Sequence, residues 1–283
     1  MNKVILLTGA ASALGQLMVK TLADKGNQVI ATMRKIEELH QQTAAQLALI
    51  DNVTIMQLDV TDEVSVKNTI AQVIKQFGKI DVLVNNAVVQ GTGLLEGYSI
   101  YQFQKMMDTN LYGVLRLYKE VLPVMRKAEN GLIINISSSC GRISTPFQIP
   151  YNASRFALEG LVEGVYQELA PLGIECVLLE PGPFIGGLYD NQTIDADRTD
   201  ILSAYGAETA VSLAEFNAKV GEALQRYQPE IKPIAQAVAS LIEMENGTRP
   251  LRTPLDPVAQ GTDIKYDELT AKLKSDWLLK YME

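Results

Sequence analysis

The chain has 283 residues, of which 47% are hydrophobic and 20% charged, a balance that belongs to a folded globular protein with a sizeable core. Its net charge of -8 and pI near 4.9 argue against a nucleic-acid partner, because a polyphosphate is held by a basic face that displaces counterions. Two cysteines, Cys140 and Cys176, and one histidine, His40, exclude a disulfide framework and leave little support for a metal site or a histidine-dependent triad.

No apolar run approaches the ~20 residues of a membrane span, and Met1-Asn2-Lys3 leads directly into a short strand rather than a signal peptide. The expectation is a cytoplasmic protein with neither a membrane nor a nucleic-acid partner. His40 lies in the polar run Glu38-Leu39-His40-Gln41-Gln42 and reads as a solvated helix residue.

Short aliphatic runs alternate with longer amphipathic ones, which is the pattern of a parallel sheet covered by helices on both faces. Val4-Ile5-Leu6-Leu7 reads as the first strand, and a Gly/Ala/Ser turn leads to a helix over about 14–25, capped by Gly26. Strands follow at 28–31, 53–56 and 82–84, with helices near 34–48 and 63–77 between them. Beyond these come one long or two consecutive helices at 98–127, a strand at 132–136, a helix at 151–170 and a sixth strand at 175–179. The predicted fold class is α/β: a doubly wound, Rossmann-type parallel sheet forming a single domain.

After Pro181-Gly182-Pro183 the pattern loosens. Residues 184–228 carry no strand signal and read as a substrate-covering segment with one or two short helices, since loops of that length are commonly functional lids. Its Leu188, Tyr189, Ile194, Ile201, Leu202, Tyr205 and Phe216 suit an apolar pocket wall and equally suit helices packed on the core. A helix at 229–245 follows, and the tail from Leu251 onward has no assignable place.

Thr8-Gly9-Ala10-Ala11-Ser12-Ala13-Leu14-Gly15 joins the first strand to the first helix, where small residues let backbone amides and a helix N-terminus approach a pyrophosphate. This turn resembles the Thr-Gly-x-x-x-Gly-x-Gly segment of short-chain dehydrogenases/reductases, and later segments match that family in order and spacing. Asp59-Val60, Asn85-Asn86-Ala87, Asn110 in Asn110-Leu111-Tyr112-Gly113, and Pro181-Gly182 all have counterparts in it. The general run of the chain, including Pro250-Leu251-Arg252, is similar to the hydroxysteroid-dehydrogenase-like branch.

The resemblance implies a nicotinamide cofactor held by Gly9, Ser12, Ala13, Leu14, Gly15, Arg34, Asp59, Val60, Asn86, Tyr151, Arg155, Pro181, Gly182 and Phe184, with no metal. Arg34 follows the second strand where NAD-specific chains place an acid, so NADP is the expected cofactor, with NAD possible. The implied reaction interconverts a small-molecule carbonyl and a secondary alcohol. Ser138 orients the carbonyl, Tyr151 acts as general acid or base, Arg155 supplies positive charge, and Asn110 holds a water in the proton path.

Ser137 and Ser139 flank Ser138, but strand alternation and the thirteen-residue step to Tyr151 select Ser138. A phenol ordinarily titrates near 10, so duty near neutrality requires a close cation, and Arg155 lies one helical turn on. The family has lysine there; arginine is bulkier, planar and effectively never deprotonated. Ala13 in place of a glycine, Val88 in place of a glycine after Asn85-Asn86-Ala87, and Gly186 in place of a threonine are further departures. Together they raise a second reading, a nucleotide-binding or redox-sensing protein with weak or no turnover. The helices at 98–127 and 151–170 are the expected faces of a homodimer or homotetramer.

Overall fold

The computed structural model describes residues 2–185 and 193–282. Seven parallel strands form one sheet in the order β3-β2-β1-β4-β5-β6-β7: β1 (Val4–Leu7), β2 (Gln28–Met33), β3 (Val53–Gln57), β4 (Val82–Asn85), β5 (Gly131–Ile136), β6 (Ile174–Pro181) and β7 (Arg252–Leu255). The first six match the expected runs: β1, β2, β4, β5 and β6 are mostly hydrophobic on both faces, as a sheet covered on both sides requires, and the half-buried edge strand β3 keeps the β-branched run Val53-Thr54-Ile55.

Alternate residues point to opposite faces. Ile5, Leu7, Val84, Ile134 and Val177 pack under α1 (Ala13–Asp24) and α9 (Lys232–Glu243). Leu6, Leu83, Ile133 and Leu178 pack under α3 (Glu63–Phe77), α5 (Gly113–Ala128) and α6 (Ile149–Leu169).

The expected helix at 34–48 divides into a π turn (Ile36–His40) and α2 (Gln41–Leu47). The 98–127 region resolves into α4 (Ile100–Met107) and α5, joined by a π turn over Asp108–Tyr112 that centres on Asn110. Such turns concentrate at functional sites.

Two regions depart from the sequence expectation. The covering segment is more helical than foreseen, with α7 (Thr199–Ala204) followed by the 21-residue α8 (Ala207–Tyr227), which buries no side chain. The tail contributes β7, paired with β6 from Leu178–Arg252 to Pro181–Leu255, and then α10 (Thr262–Met282). An edge strand accommodates Pro254, which an inner strand would not. Among the described residues no helix is long and apolar enough to cross a membrane.

Candidate functional site

The carboxyl ends of β1, β4, β5 and β6 open onto two connected hollows, where ligands of open α/β sheets bind. An outer cleft of about 430 Å³ is lined by Gly9, Ser12, Ala13, Arg34, Asp59, Val60 and Asn86, among others. An inner cavity of about 230 Å³ is lined by Leu14, Ser138, Tyr151, Arg155, Pro181, Gly182 and Phe184. Ser12, Asn86 and Val88 belong to both walls, so the two form one channel.

The β1–α1 turn is shaped for close approach. Gly9 has φ +68°, and Ser12 caps α1 by accepting the Gly15 amide at 3.0 Å. A Cβ on Gly15 would lie 2.3 Å from the Gly9 carbonyl oxygen, so this glycine lets the helix begin directly against the turn rather than lining the cleft. Asn86, from the end of β4, donates to the carbonyls of Thr8 and Gly9 at 3.0 and 3.1 Å and fixes the turn from the neighbouring strand. The methyl of Ala13 is part of the cleft wall, and Val88 stands at the junction of cleft and cavity.

At the far end, Arg34 has a buried Nε with no partner among the described residues. His40 and Thr43 line the same wall, so His40 is a cleft residue rather than the fully solvated one its polar surroundings suggested. Burial, with the Arg34 cation beside it, holds the imidazole below its ordinary pKa. Asp59 directs Oδ1 at the amide and hydroxyl of Thr61, at 2.9 and 2.7 Å.

In the inner cavity Ser138 lies two residues past β5 in extended conformation, and its Oγ accepts the Cys140 amide at 3.2 Å. Ser137 donates instead to Glu159 at 2.5 Å, and the hydroxyl of Ser139 is engaged by Asp256. Tyr151 lies in the first turn of α6, packed against Val89 and Met106. Arg155 is only 2% exposed, with its guanidinium carbon 5.1 Å from the Tyr151 ring centre. Its Nη1 makes a 3.3 Å bond to the Ile136 carbonyl, and its Nε has no partner among the described residues.

Asn110 lines neither hollow. Its carboxamide accepts the Val89 amide at 2.9 Å and donates to the Val89 carbonyl and Ser154 hydroxyl at 2.8 and 2.9 Å. This ties the π turn to the strand-β4 loop and to α6, which makes Asn110 a positioning residue here. Cys140 also lines the cavity, but burial pushes its thiol pKa up and away from thiolate chemistry.

Asp256 gave no sequence signal, whereas Phe216 stood among the apolar candidates of the covering segment. Asp256, after β7, packs so tightly on Gly182 that a Cβ there would come within 2.1 Å of its carboxyl carbon. Phe216 of α8 reaches the cavity and meets Phe147 at 5.8 Å, so the covering helix contributes to its wall. Of the other apolar candidates, Ile194 packs beside the Tyr151 cluster and Tyr205 is largely exposed, whereas Gly186, Leu188 and Tyr189 lie outside the described residues.

Behind the cavity sits a buried ion cluster. Glu180 and Glu159 face each other, Arg252 lies 3.1 Å from Glu159 and 3.2 Å from Glu180, and Arg142 bonds Glu180 at 3.1 Å and Asp267 at 2.9 Å. Burial, reinforced by the neighbouring Glu159 carboxylate, pushes the Glu180 carboxyl up to about 8.

A family model described as short chain dehydrogenase matches residues 3–195, more than half of the chain. The chain belongs to the short-chain dehydrogenases. This oxidoreductase is 34% identical over 276 residues to the 3-ketodihydrosphingosine reductase of Bacteroides thetaiotaomicron, covering 98% of this chain and 93% of the relative. It is 33% identical over 284 residues to human retinol dehydrogenase 8, covering 95% and 84%. A solved short-chain dehydrogenase from Streptomyces avermitilis superposes with a TM-score of 0.76 at 30% identity, over 99% of this chain and 98% of that one. The structure of ElxO with NADP bound superposes with a TM-score of 0.71 at 27% identity, over 90% and 97%.

Proposed function

We propose that this short-chain dehydrogenase interconverts an apolar ketone or aldehyde and the corresponding alcohol, with NADP(H) as the preferred dinucleotide. The observation that carries the reading is the convergence of Ser138, Tyr151 and Arg155, whose Nε has no partner among the described residues, on one cavity that continues into the cleft of the β1–α1 turn.

The residues fit a dinucleotide. Gly9 and Gly15 keep side chains out of the turn, Ser12 caps the start of α1 at the cleft wall, and the Nε atoms of Arg34 and Arg155, without partners among the described residues, lie at opposite ends of the channel. When bound, the nicotinamide supplies the hydride. Ser138 donates to the substrate oxygen and orients it, and the Tyr151 hydroxyl passes a proton to that oxygen in reduction and withdraws it in oxidation. Arg155 keeps a positive charge beside the phenol and would donate to the ribose hydroxyls of a bound nucleotide. Asn110 holds the π turn that backs Tyr151.

Arg34 and His40 together support a 2′-phosphate, and the similarity to a structure with NADP bound points the same way. Val88, Ile136, Ile143, Phe184, Phe216 and Val220 give the cavity apolar walls, which suits a lipid-like carbonyl, as do the names of the two relatives. The 184–228 segment acts as the substrate cover. The outer face of α6, with half-exposed Phe156 and open space above Gly160 and Gly164, supports self-association.

The test is single-turnover oxidation of bound NADPH by long-chain aldehydes and ketones. Turnover by the native chain, its loss in Tyr151→Phe with NADPH binding retained, and a modest change in Arg155→Lys are expected. NADPH binding with turnover only in Arg155→Lys would assign the fold to nucleotide sensing instead.

A further inference from the structure

Helix α10 is docked by its polar side. Asp267 and Thr270 hold Arg142 at 2.9 and 2.7 Å, Lys274 reaches Glu163 at 2.5 Å, and Asp263 accepts the Asp256 amide at 3.0 Å. The side turned to solvent is apolar. Leu269, Leu273, Trp277 and Tyr281, spaced four residues apart, are 61%, 57%, 64% and 77% exposed. At roughly 200 Å² per large side chain, these four alone leave on the order of 500 Å² of apolar surface open, in the range where patches on monomers are functional.

We propose that α10 is an interfacial anchor that lays this stripe into the headgroup region of a phospholipid membrane. Three observations select a lipid surface as the occupant. The tip is apolar around most of its circumference, because Leu278 and Leu279 point away from the stripe and are also about half exposed. A second copy laid along the stripe would leave these two wet, whereas a fluid medium covers all of them. Exposed Lys265, Lys272 and Lys280 flank the stripe, with Glu268 and Asp276 between them, which leaves this edge with one net positive charge facing lipid phosphates although the whole chain is acidic.

The third observation is placement. Arg142, which α10 grips, immediately precedes Ile143, a residue 55% exposed on the wall of the inner cavity. Anchor and cavity mouth therefore share one loop, and a substrate dissolved in the membrane would enter beside the anchor. That delivery role rests on the apolar-carbonyl reading above; the anchoring does not. The expectation of no membrane partner rested on the lack of a span, and a helix lying in the interface needs none.

Trp277 is the chain's single tryptophan and sits on the stripe, so its emission reports directly. With phosphatidylcholine vesicles containing a minor fraction of phosphatidylglycerol, emission is expected to move to shorter wavelength and to be quenched by bilayer-borne brominated lipid. Leu273→Glu, an exposed change that leaves the reporter in place, is expected to weaken the partition about tenfold. It should also slow reduction of a long-chain ketone presented in vesicles, while a water-soluble short-chain ketone is reduced at the native rate. Absence of turnover with either ketone would sink the reductase reading and leave the fluorescence to decide the anchor. Emission unmoved at vesicle excess overturns the proposal, as does lipid-free emission that follows protein concentration and loses that dependence in Leu273→Glu, which would assign the stripe to a second copy.

Discussion

Replacing Arg155 by methionine is expected to make the cofactor-free protein more stable. Arg155 is 2% exposed, with one long bond to the Ile136 carbonyl, a stacked position on Tyr151 and an Nε without a partner among the described residues. Losing the bond costs about 1.5 kcal/mol and losing the cation–π contact about 1 kcal/mol. Against this, removing an uncompensated buried charge returns several kcal/mol, and methionine fills the same space with an unbranched chain. The net expectation is a gain of about 1–3 kcal/mol, or roughly 2–10 °C in the thermal midpoint for a chain of this size.

Scanning calorimetry of native and Arg155→Met chains without nucleotide measures it, and repetition with saturating NADPH completes the comparison. The native chain should gain more from the nucleotide than the variant, because only there does the ligand supply the missing partners. A lowered midpoint in the cofactor-free variant would refute the reasoning, since it would mean that the guanidinium is already satisfied.

Other outcomes follow from the same geometry. The Glu180 carboxyl, raised to about 8 from the ordinary 4.5, keeps its proton while the unfolded chain has lost it. Native stability therefore falls as pH rises from about 4.5 to about 8, and Glu180→Gln should flatten that slope in urea titrations at several pH values. Gly15→Ala places a methyl against the Gly9 carbonyl and should cost about 1–3 kcal/mol while weakening NADPH binding, both measurable by thermal shift. The one histidine offers a proton-NMR titration: NADP⁺ should raise the His40 pKa by bringing an anion to it, whereas NAD⁺ should leave it low. Equal shifts with both nucleotides would remove the 2′-phosphate from the Arg34 end.

Strands β1, β2, β4, β5 and β6 were legible because burial on both faces writes itself as a largely aliphatic run, and the half-buried edge strand β3 because Val53-Thr54-Ile55-Met56 is rich in β-branched residues. β7 was not, since Arg252-Thr253-Pro254-Leu255 carries a charge and a proline that only an edge position tolerates. The length of α8 was missed because its apolar positions Leu213, Phe216, Val220 and Leu224 are only half-buried and sit among many small and polar residues, so the period they write is thin.

Within the site, Ser138, Tyr151 and Arg155 could be placed on one cavity from local order along the chain. Asp256 and the Glu159–Glu180 pair could not, because they meet through strands and helices distant in sequence. His40 misled because a polar run is the same whether it faces water or a cleft wall.

The independence of α8 from the core has a consequence for inheritance. A 21-residue helix that reaches the cavity through Phe216 while burying no side chain fully can accumulate substitutions on its exposed side without unfolding what lies beneath it. Selection on what enters the cavity is thereby separated from selection on folding. Exchange of α8 between relatives should transfer substrate preference as a unit, with the rest of the chain left as it is.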